Sequence, residues 1–197
     1  MDKILKSIRK RSYIYDEKDK EYWNDKEFVL KAIKKNGYLL KYASKQIKND
    51  REIILKGLKS KVFCLGYASE ELRNDKEIVL EAIKKDGENL KYASNELKND
   101  EENIIEAIKT NGWNLKYASE EFRNNKKFLY KIVKINGWGL FGASEKIKND
   151  KKIIIAALKN IHCFNYNMYN VVVNSNGYWQ IIRFRDMTSF HYFLRFY

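Results

Sequence analysis

The sequence predicts an all-α fold, in which tandem 25-residue helical hairpins form a solenoid-like array ahead of a divergent C-terminal segment. An Asn-Asp pair, or a close variant of it, recurs every 25 residues without insertion. The apolar residues between these pairs follow helical spacing, and self-similarity at a fixed period is typical of repeat architectures. The pairs fall at Asn24-Asp25, Asn49-Asp50, Asn74-Asp75, Asn99-Asp100, Asn124-Asn125 and Asn149-Asp150.

The second residue of each pair is a predicted N-cap, because Asp and Asn side chains accept hydrogen bonds from the unpaired backbone N–H groups of a first turn. The first copy continues with a broad apolar stripe at helical spacing, formed by Phe28, Val29, Ala32 and Ile33. Gly37 follows, and glycine commonly ends a helix at C′ by taking a positive φ. The sequence therefore predicts a long first helix that stops at the glycine.

A second, shorter element follows this glycine. In the first copy it carries Leu40, Ala43, Ser44 and Ile47, spaced as on one face of a helix. Two interpretations are open: one continuous second helix, or a serine that caps a final short turn before the next Asn-Asp pair. A Tyr-Ala-Ser block marks the element in four copies and changes to Gly-Ala-Ser in the fifth, with first residues Tyr42, Tyr67, Tyr92, Tyr117 and Gly142.

Three segments follow from this period. Residues 24–159 form the tandem array. Residues 1–23 are predicted to be a degenerate N-terminal capping repeat, because residues 2–11 match a first helix and the remainder does not match a second element. Residues 160–197 are a divergent segment with eleven aromatic residues and no lysine.

The divergent segment has its own pattern. The run Val171-Val172-Val173, a following Asn/Ser/Gly turn and the run 178–182 are typical of strand, turn and strand. The segment is a β-hairpin that caps the last repeat, a tail acquired by frameshift, or a segment that orders only on binding.

The repeat unit closely resembles a known family. Residues 74–97 carry an Asn-Asp cap, a Glu-Ile-Val-Leu run, an Asp-Gly stop and a Leu-Lys-Tyr-Ala-Ser block in order and in phase. This stretch closely resembles the tandem helical repeat known as domain of unknown function 4116, and the resemblance covers about residues 24–159. It implies the helical repeat fold and no activity, so no catalytic or ligand-binding residue is carried over.

Composition restricts compartment and chemistry. The two cysteines, Cys64 and Cys163, form no disulfide framework and no metal-ligand spacing, and neither a secretory signal nor a transmembrane span is visible. A cytoplasmic location is therefore expected, although export by an unrecognised signal stays open. The chain has no phosphate-binding loop or metal motif, so neither a metal nor any other cofactor is expected.

A column of lysines is one candidate binding feature. The tenth residue after the Asn of each pair is lysine in all six copies, opposite the apolar stripe: Lys34, Lys59, Lys84, Lys109, Lys134 and Lys159. A second basic column consists of Lys48, Arg73, Lys98, Arg123 and Lys148. Stacked repeats would align these charges into a track for phosphates or an acidic partner. The alternative is a solvated face, since lysine in a last turn also complements the helix dipole.

Aromatic residues form two further columns. Tyr38, Phe63, Trp113 and Trp138 follow the turn and are the better candidates for recognition, with a plug over the loop as the alternative. The tyrosines of the Tyr-Ala-Ser blocks are expected to pack against the adjacent repeat, because repeats bury a continuous core between them. An exposed aromatic ladder that stacks on bases or peptide groups is the other reading.

The predicted function is non-catalytic: a repeat scaffold that presents an extended surface to an unidentified protein partner. The alternative is electrostatic binding of RNA or DNA through the lysine columns and loop aromatics. A third hypothesis is an enzyme that acts through His162, Cys163 and His191, and no pattern orients these groups into a catalytic set. No membrane interaction is expected, and the oligomeric state is not predicted.

Overall fold

The computed structural model describes Ile4, Asp16 and residues 19–59, 64–161, 169–173 and 179–183. Its contacts divide the chain into two compact units, Met1–Thr110 and Asn111–Tyr197, here called the N-terminal and C-terminal units. Repeats 1 to 5 begin at Asn24, Asn49, Asn74, Asn99 and Asn124, and repeat 6 begins at Asn149.

Each full repeat contains three helices. The long α-helices are Lys26–Lys35, Arg51–Lys59, Lys76–Lys85, Glu101–Thr110, Lys126–Ile135 and Lys151–Ile161. The 3-10 helices are Tyr22–Asn24 before the array and then Gly37–Tyr42, Cys64–Tyr67, Gly87–Tyr92, Gly112–Tyr117 and Gly137–Gly142. The short α-helices are Lys45–Lys48, Glu70–Arg73, Asn95–Lys98, Glu120–Asn124 and Glu145–Lys148. The predicted all-α tandem fold is confirmed.

The long helices begin as the sequence predicts. The Asp25 carboxylate accepts a 2.6 Å hydrogen bond from the backbone N–H of Phe28. The Asn125 side chain accepts the equivalent bond from Phe128 N at 3.0 Å. Either side chain satisfies a first-turn N–H group that would otherwise lack a partner.

Where Asn-Gly or Asp-Gly follows a long helix, the end of that helix differs from the prediction. In the first copy the C-cap is Asn36, in extended conformation, and its Oδ1 accepts from Tyr38 N to cap the following 3-10 helix. Neither Gly112 nor Gly137 takes a positive φ. The glycine is required for close approach instead, because a Cβ at Gly137 would lie 2.2 Å from the carbonyl oxygen of Ala157.

The second element is not one continuous helix. Its 3-10 helix ends at Ala43, which is extended, and Ser44 then caps the short α-helix by accepting from Ile47 N at 3.2 Å. The interpretation of the serine as a cap is therefore confirmed. The same serines join repeats: Ser69 N donates to the carbonyl of Lys48, one repeat earlier.

The predicted apolar stripes form the core. Phe28, Val29, Ala32 and Ile33 are buried, and their equivalents in later repeats are buried as well. Asn103 interrupts one stripe and is fully buried, where its Nδ2 donates to the carbonyl of Leu97 at 3.2 Å. The repeat therefore tolerates a polar residue in its core when a backbone acceptor is present.

The divergent segment contains two strands, β1 Tyr169–Val173 and β2 Trp179–Arg183. They pair in antiparallel register, with Val171 opposite Ile181, as the β-hairpin alternative requires. Among the described residues, no helix combines the length and apolarity needed to cross a membrane.

Candidate binding surface

The predicted lysine column is exposed in both units. Lys34, Lys59, Lys84 and Lys109 lie at the ends of long helices in the N-terminal unit, and Lys134 and Lys159 lie at equivalent positions in the C-terminal unit. Two of the six have an identified contact with a neighbour on the same helix. Lys109 Nζ lies 2.8 Å from Glu106, and Lys134 Nζ lies 4.3 Å from the Tyr130 ring centroid.

Ion pairs between repeats neutralise much of the N-terminal unit. In its first three long helices the first residue is basic and reaches the cap and first turn of the next helix: Lys26 Nζ lies 2.8 Å from Asp50 and 2.7 Å from Glu52. Arg51 makes the same contacts with Asp75 and Glu77. The pattern links successive helices with opposite charges rather than leaving a purely basic face.

These contacts shift the ionisation of their partners. Hydrogen bonds from Lys26 and then Lys56 lower the pKa of Glu52 to about 2. Burial is the largest single influence on Asp50 and acts to raise its pKa, but the hydrogen bonds from Lys26 and from the backbone N–H groups of Ile53 and Glu52, together with the Lys26 charge, lower the pKa overall. The Lys26 ammonium is stabilised in return by Asp50 and Glu52, which raise its pKa.

A groove of about 450 Å³ lies between the long helices of repeats 2 and 3. Lys59 and Lys84 from the predicted column line it, together with Leu55 and Leu80. Its carboxylates are Glu77 and Glu81. The groove is therefore mixed in sign, which favours the solvated-face interpretation for the lysines there.

The second basic column is half-buried rather than fully exposed. Lys48 Nζ donates to the carbonyl of Lys41 at 2.7 Å, and burial lowers the pKa of Lys48. Lys148 Nζ lies 2.7 Å from Glu145. These side chains belong to the structure of the repeat itself.

The tyrosines of the Tyr-Ala-Ser blocks pack against the preceding repeat, as the core interpretation requires. The Tyr42 and Trp23 ring centroids are 5.4 Å apart. The Tyr92 ring covers Gly66, where a Cβ would lie 2.8 Å from Cε1 of that ring. Lys91 Nζ lies 4.7 Å from the Tyr92 ring centroid. Tyr42 and Tyr92 are half-buried.

The aromatic side chains that follow the turn are more exposed than these tyrosines. Tyr38 is 48% exposed, and Trp113 and Trp138 are each 43% exposed. In the C-terminal unit the two tryptophans both stack on Phe141, with centroid distances of 4.8 Å for Trp113 and 5.5 Å for Trp138. We call Trp113, Phe141 and Trp138 the aromatic stack.

Sequence reasoning missed Phe141. In repeat 5 the usual Lys-Tyr becomes Phe141-Gly142, so the ring moves one position along the 3-10 helix. Residues three apart eclipse in a 3-10 helix, which places Phe141 beside Trp138. A Cβ at Gly142 would lie 2.6 Å from Leu115 Cβ, so a tyrosine there would not fit. The Trp-x-x-Phe spacing in the sequence could have predicted this contact, but only if the segment had been recognised as a 3-10 helix.

Exposed apolar side chains concentrate in the C-terminal unit. Among the described residues, six large apolar side chains are strongly exposed, and Tyr38 alone belongs to the N-terminal unit. The other five are Trp113, Tyr130, Ile135, Trp138 and Ile155.

Charge is concentrated there too. Residues 19–110 hold nineteen basic and eighteen acidic residues, a net charge of +1, whereas residues 111–161 hold eleven basic and four acidic residues, a net charge of +7. Positive charge is therefore unevenly distributed along the array, because the nearly neutral residues 19–110 are followed by the strongly basic residues 111–161.

Several residues named from the sequence do not contribute a described site. Phe63, His162, Cys163 and His191 lie outside the described residues. Cys64 is buried, and this burial raises the pKa of its thiol to about 12. It is therefore a thiol at neutral pH and a poor nucleophile.

Comparison with known proteins identifies the repeat. A family model described as a domain of unknown function (DUF4116) matches residues 1–48, 25–73, 50–98, 75–123, 100–141 and 125–168. No curated protein and no solved structure matches the chain. The overlapping matches advance in step with the Asn-Asp pairs and the three-helix repeat. The chain therefore belongs to the DUF4116 family of tandem helical repeats.

Proposed function

We propose that this protein is a non-catalytic repeat scaffold that binds a protein partner through exposed side chains of its 3-10 helices. One observation carries the proposal: large aromatic residues recur at one exposed repeat position, at Tyr38, Trp113 and Trp138. Aromatic residues are enriched at protein interfaces and at their energetic centres.

The repeat does not need these rings in order to fold. Its helices are fixed by Asp, Asn and Ser caps and by a buried apolar stripe. Repeat 3 has Glu88 at the position of Trp113 and Trp138, and forms the same 3-10 helix. Side chains at this position can therefore vary for binding while the framework is kept.

Electrostatic nucleic-acid binding is the second candidate. The net charge of +7 over residues 111–161, together with exposed tryptophans, favours it. A protein that contacts six or more phosphates should lose roughly 10³-fold in affinity between about 50 and 200 mM salt. Anisotropy of labelled RNA and duplex DNA tests this. Binding that is salt-steep and is abolished by combined Lys127→Glu, Lys134→Glu and Lys159→Glu, all exposed in residues 111–161, would support this candidate over the scaffold.

An unbiased peptide selection tests the scaffold proposal. The full chain is immobilised and challenged with a displayed library of random peptides. Selected peptides are then compared on the wild type and on a Tyr38→Ser, Trp113→Ser and Trp138→Ser variant whose helicity is checked by circular dichroism. We expect saturable binding that the triple variant loses. Failure to select any peptide, or equal binding to both proteins, would contradict the proposal.

A further inference from the structure

We propose that the aromatic stack of the C-terminal unit binds an acidic segment of a partner protein that also carries apolar side chains. This inference rests on the scaffold function and names the chemistry of its partner. It follows from a matched pair of positions in repeats 3 and 5, from the geometry of the stack, and from the charge of the surrounding unit.

The matched positions have opposite chemistry. In repeat 3, Glu88 and Lys91 lie three residues apart on the 3-10 helix and form an ion pair of 2.7 Å. In repeat 5 the equivalent residues, Trp138 and Phe141, stack instead. Both helices span six residues and are capped by an Asp or Asn side chain. The 3-10 helix therefore forms with a polar pair at these positions, so the helix itself does not require the apolar pair of repeat 5.

The stack offers a continuous apolar surface rather than separate stacking slots. Trp113 and Phe141 are nearly parallel, at 15° and 4.8 Å, and Trp138 and Phe141 are at 29° and 5.5 Å. These are contact distances for aromatic rings, so no planar group fits between them. The indole surface that remains exposed suits the apolar side chains of a peptide.

The charge of the unit selects an acidic partner. Of the four carboxylates in residues 111–161, Asp150 pairs with Lys126 and Glu145 pairs with Lys148. Four carboxylates cannot neutralise eleven cations, so the unit keeps a positive potential. Such a potential attracts acidic segments and rejects basic ones.

Other occupants fit less well. A second copy would bring a net charge of +7 against +7, which is repulsive. Residues 184–197 of the chain are aromatic but carry two arginines against one aspartate. Single-stranded nucleic acid needs open ring faces for its bases, and Phe141 occupies a face of each indole. The exposed Ile135 and Ile155 also favour apolar side chains over bases.

The test uses three short peptides of equal length with identical apolar residues. Their polar positions are all acidic, all neutral or all basic. Binding to the full chain is measured by calorimetry at low salt. The key variant, Trp138→Glu with Phe141→Lys, installs the pair that repeat 3 already accommodates. Glu88→Gln with Lys91→Gln is the matched control, because it changes the equivalent pair of positions in repeat 3 and leaves the net charge unchanged.

We expect the acidic peptide to bind the wild type about tenfold more tightly than the neutral one, with the basic peptide weakest. The double variant should lose roughly tenfold or more of that affinity, as loss of an aromatic anchor usually does. Glu88→Gln with Lys91→Gln should change it little. Circular dichroism must show that the variants keep their helicity, and Trp113→Ser provides an independent variant of the stack if the double variant unfolds.

Five results would overturn the inference. Equal binding of acidic and neutral peptides would remove the role of charge. Unchanged binding by the folded stack variants would move the site elsewhere and leave the scaffold proposal intact. Competition of the acidic peptide by single-stranded RNA, with the RNA bound more tightly, would assign the stack to nucleic acid. Self-association of the wild type that the double variant abolishes would assign it to a second copy. Absence of any peptide binding here and in the unbiased selection would reject both proposals.

Discussion

Glu88 and Lys91 form an ion pair in repeat 3 at the two positions where repeat 5 stacks Trp138 on Phe141. Repeat 3 lies in the N-terminal unit and repeat 5 lies in the C-terminal unit. In the N-terminal unit, ion pairs from Lys26, Arg51 and Lys76 to the following repeats also cancel charge. The comparison shows that caps and buried stripes define the repeat, whereas the exposed positions determine its chemistry.

The largest expected effect concerns the close packing of the C-terminal unit. Gly137→Ala places a Cβ 2.2 Å from the backbone oxygen of Ala157, and backbone cannot move aside cheaply. We expect it to lower the free energy of unfolding by about 3 kcal/mol, at the upper end of overpacking costs. Gly66→Ala is the control in the N-terminal unit, where the Cβ meets the Tyr92 side chain at 2.8 Å.

Denaturant unfolding monitored by circular dichroism measures both variants. Because a side chain can rotate where backbone cannot, Gly66→Ala should cost about 1 kcal/mol. An equal loss in the two variants would contradict the difference in packing between these two sites.

A smaller expected effect on the free energy of unfolding distinguishes the capping role of Asp75 from its ion pair. This residue caps its helix through a 3.0 Å bond from Ile78 N and also lies 3.3 Å from Arg51 Nε. Asp75→Ala should cost about 1 kcal/mol more than Asp75→Asn, because caps contribute more than exposed ion pairs. Asn125 already caps a long helix in the C-terminal unit. Similar unfolding free energies for the two variants would show that the ion pair dominates instead.

Acidification should weaken the N-terminal unit more than the C-terminal unit. In the N-terminal unit the pKa values of Asp50, Glu52 and Asp100 are lowered in the folded chain, that of Glu52 to about 2, and in the C-terminal unit the pKa of Asp150 is lowered. Groups of this kind stabilise the fold above their unfolded pKa, near 4 for carboxyls. That contribution is lost as pH falls toward the folded pKa, because the unfolded chain then binds more protons.

Hydrogen-exchange pulse labelling after incubation at about pH 5 and about pH 2 tests this window. We expect protection to fall first in Arg51–Lys59 and Lys76–Lys85. Glu52→Gln should reduce the pH dependence of the first of these helices. Earlier loss in Lys126–Ile135 would reverse the expected order.

Local sequence patterns predicted the framework of the repeat well. The Asp and Asn caps and the buried stripe of Phe28, Val29, Ala32 and Ile33 depend on residues close together in sequence. The predicted role of the glycines was wrong. Glycine is required at Gly137 because the backbone of Ala157, in the next repeat, approaches it closely. Spacing within one helix contains no information about that approach.

The candidate site was predicted only in part. Trp113 and Trp138 are predicted from their repeat position, whereas Phe141, which stacks on both, is not predicted. Finding it required knowing that the second element is a 3-10 helix, in which residues three apart align. The lysine column lies on the exposed face, as its position on the helix predicts. Its spacing is the same in both units, so the spacing alone did not indicate that the neighbouring residues differ in charge.

The most direct test of the account exploits that lysine column. Lys134→Gln with Lys159→Gln removes two exposed charges from the C-terminal unit, and Lys34→Gln with Lys84→Gln removes two equivalent charges from the N-terminal unit. Calorimetry of the acidic peptide with the full chain compares the two variants at equal net charge. We predict a several-fold loss of affinity for the first variant and little change for the second. Equal loss in both, or loss only in the second, would contradict a binding surface in the C-terminal unit.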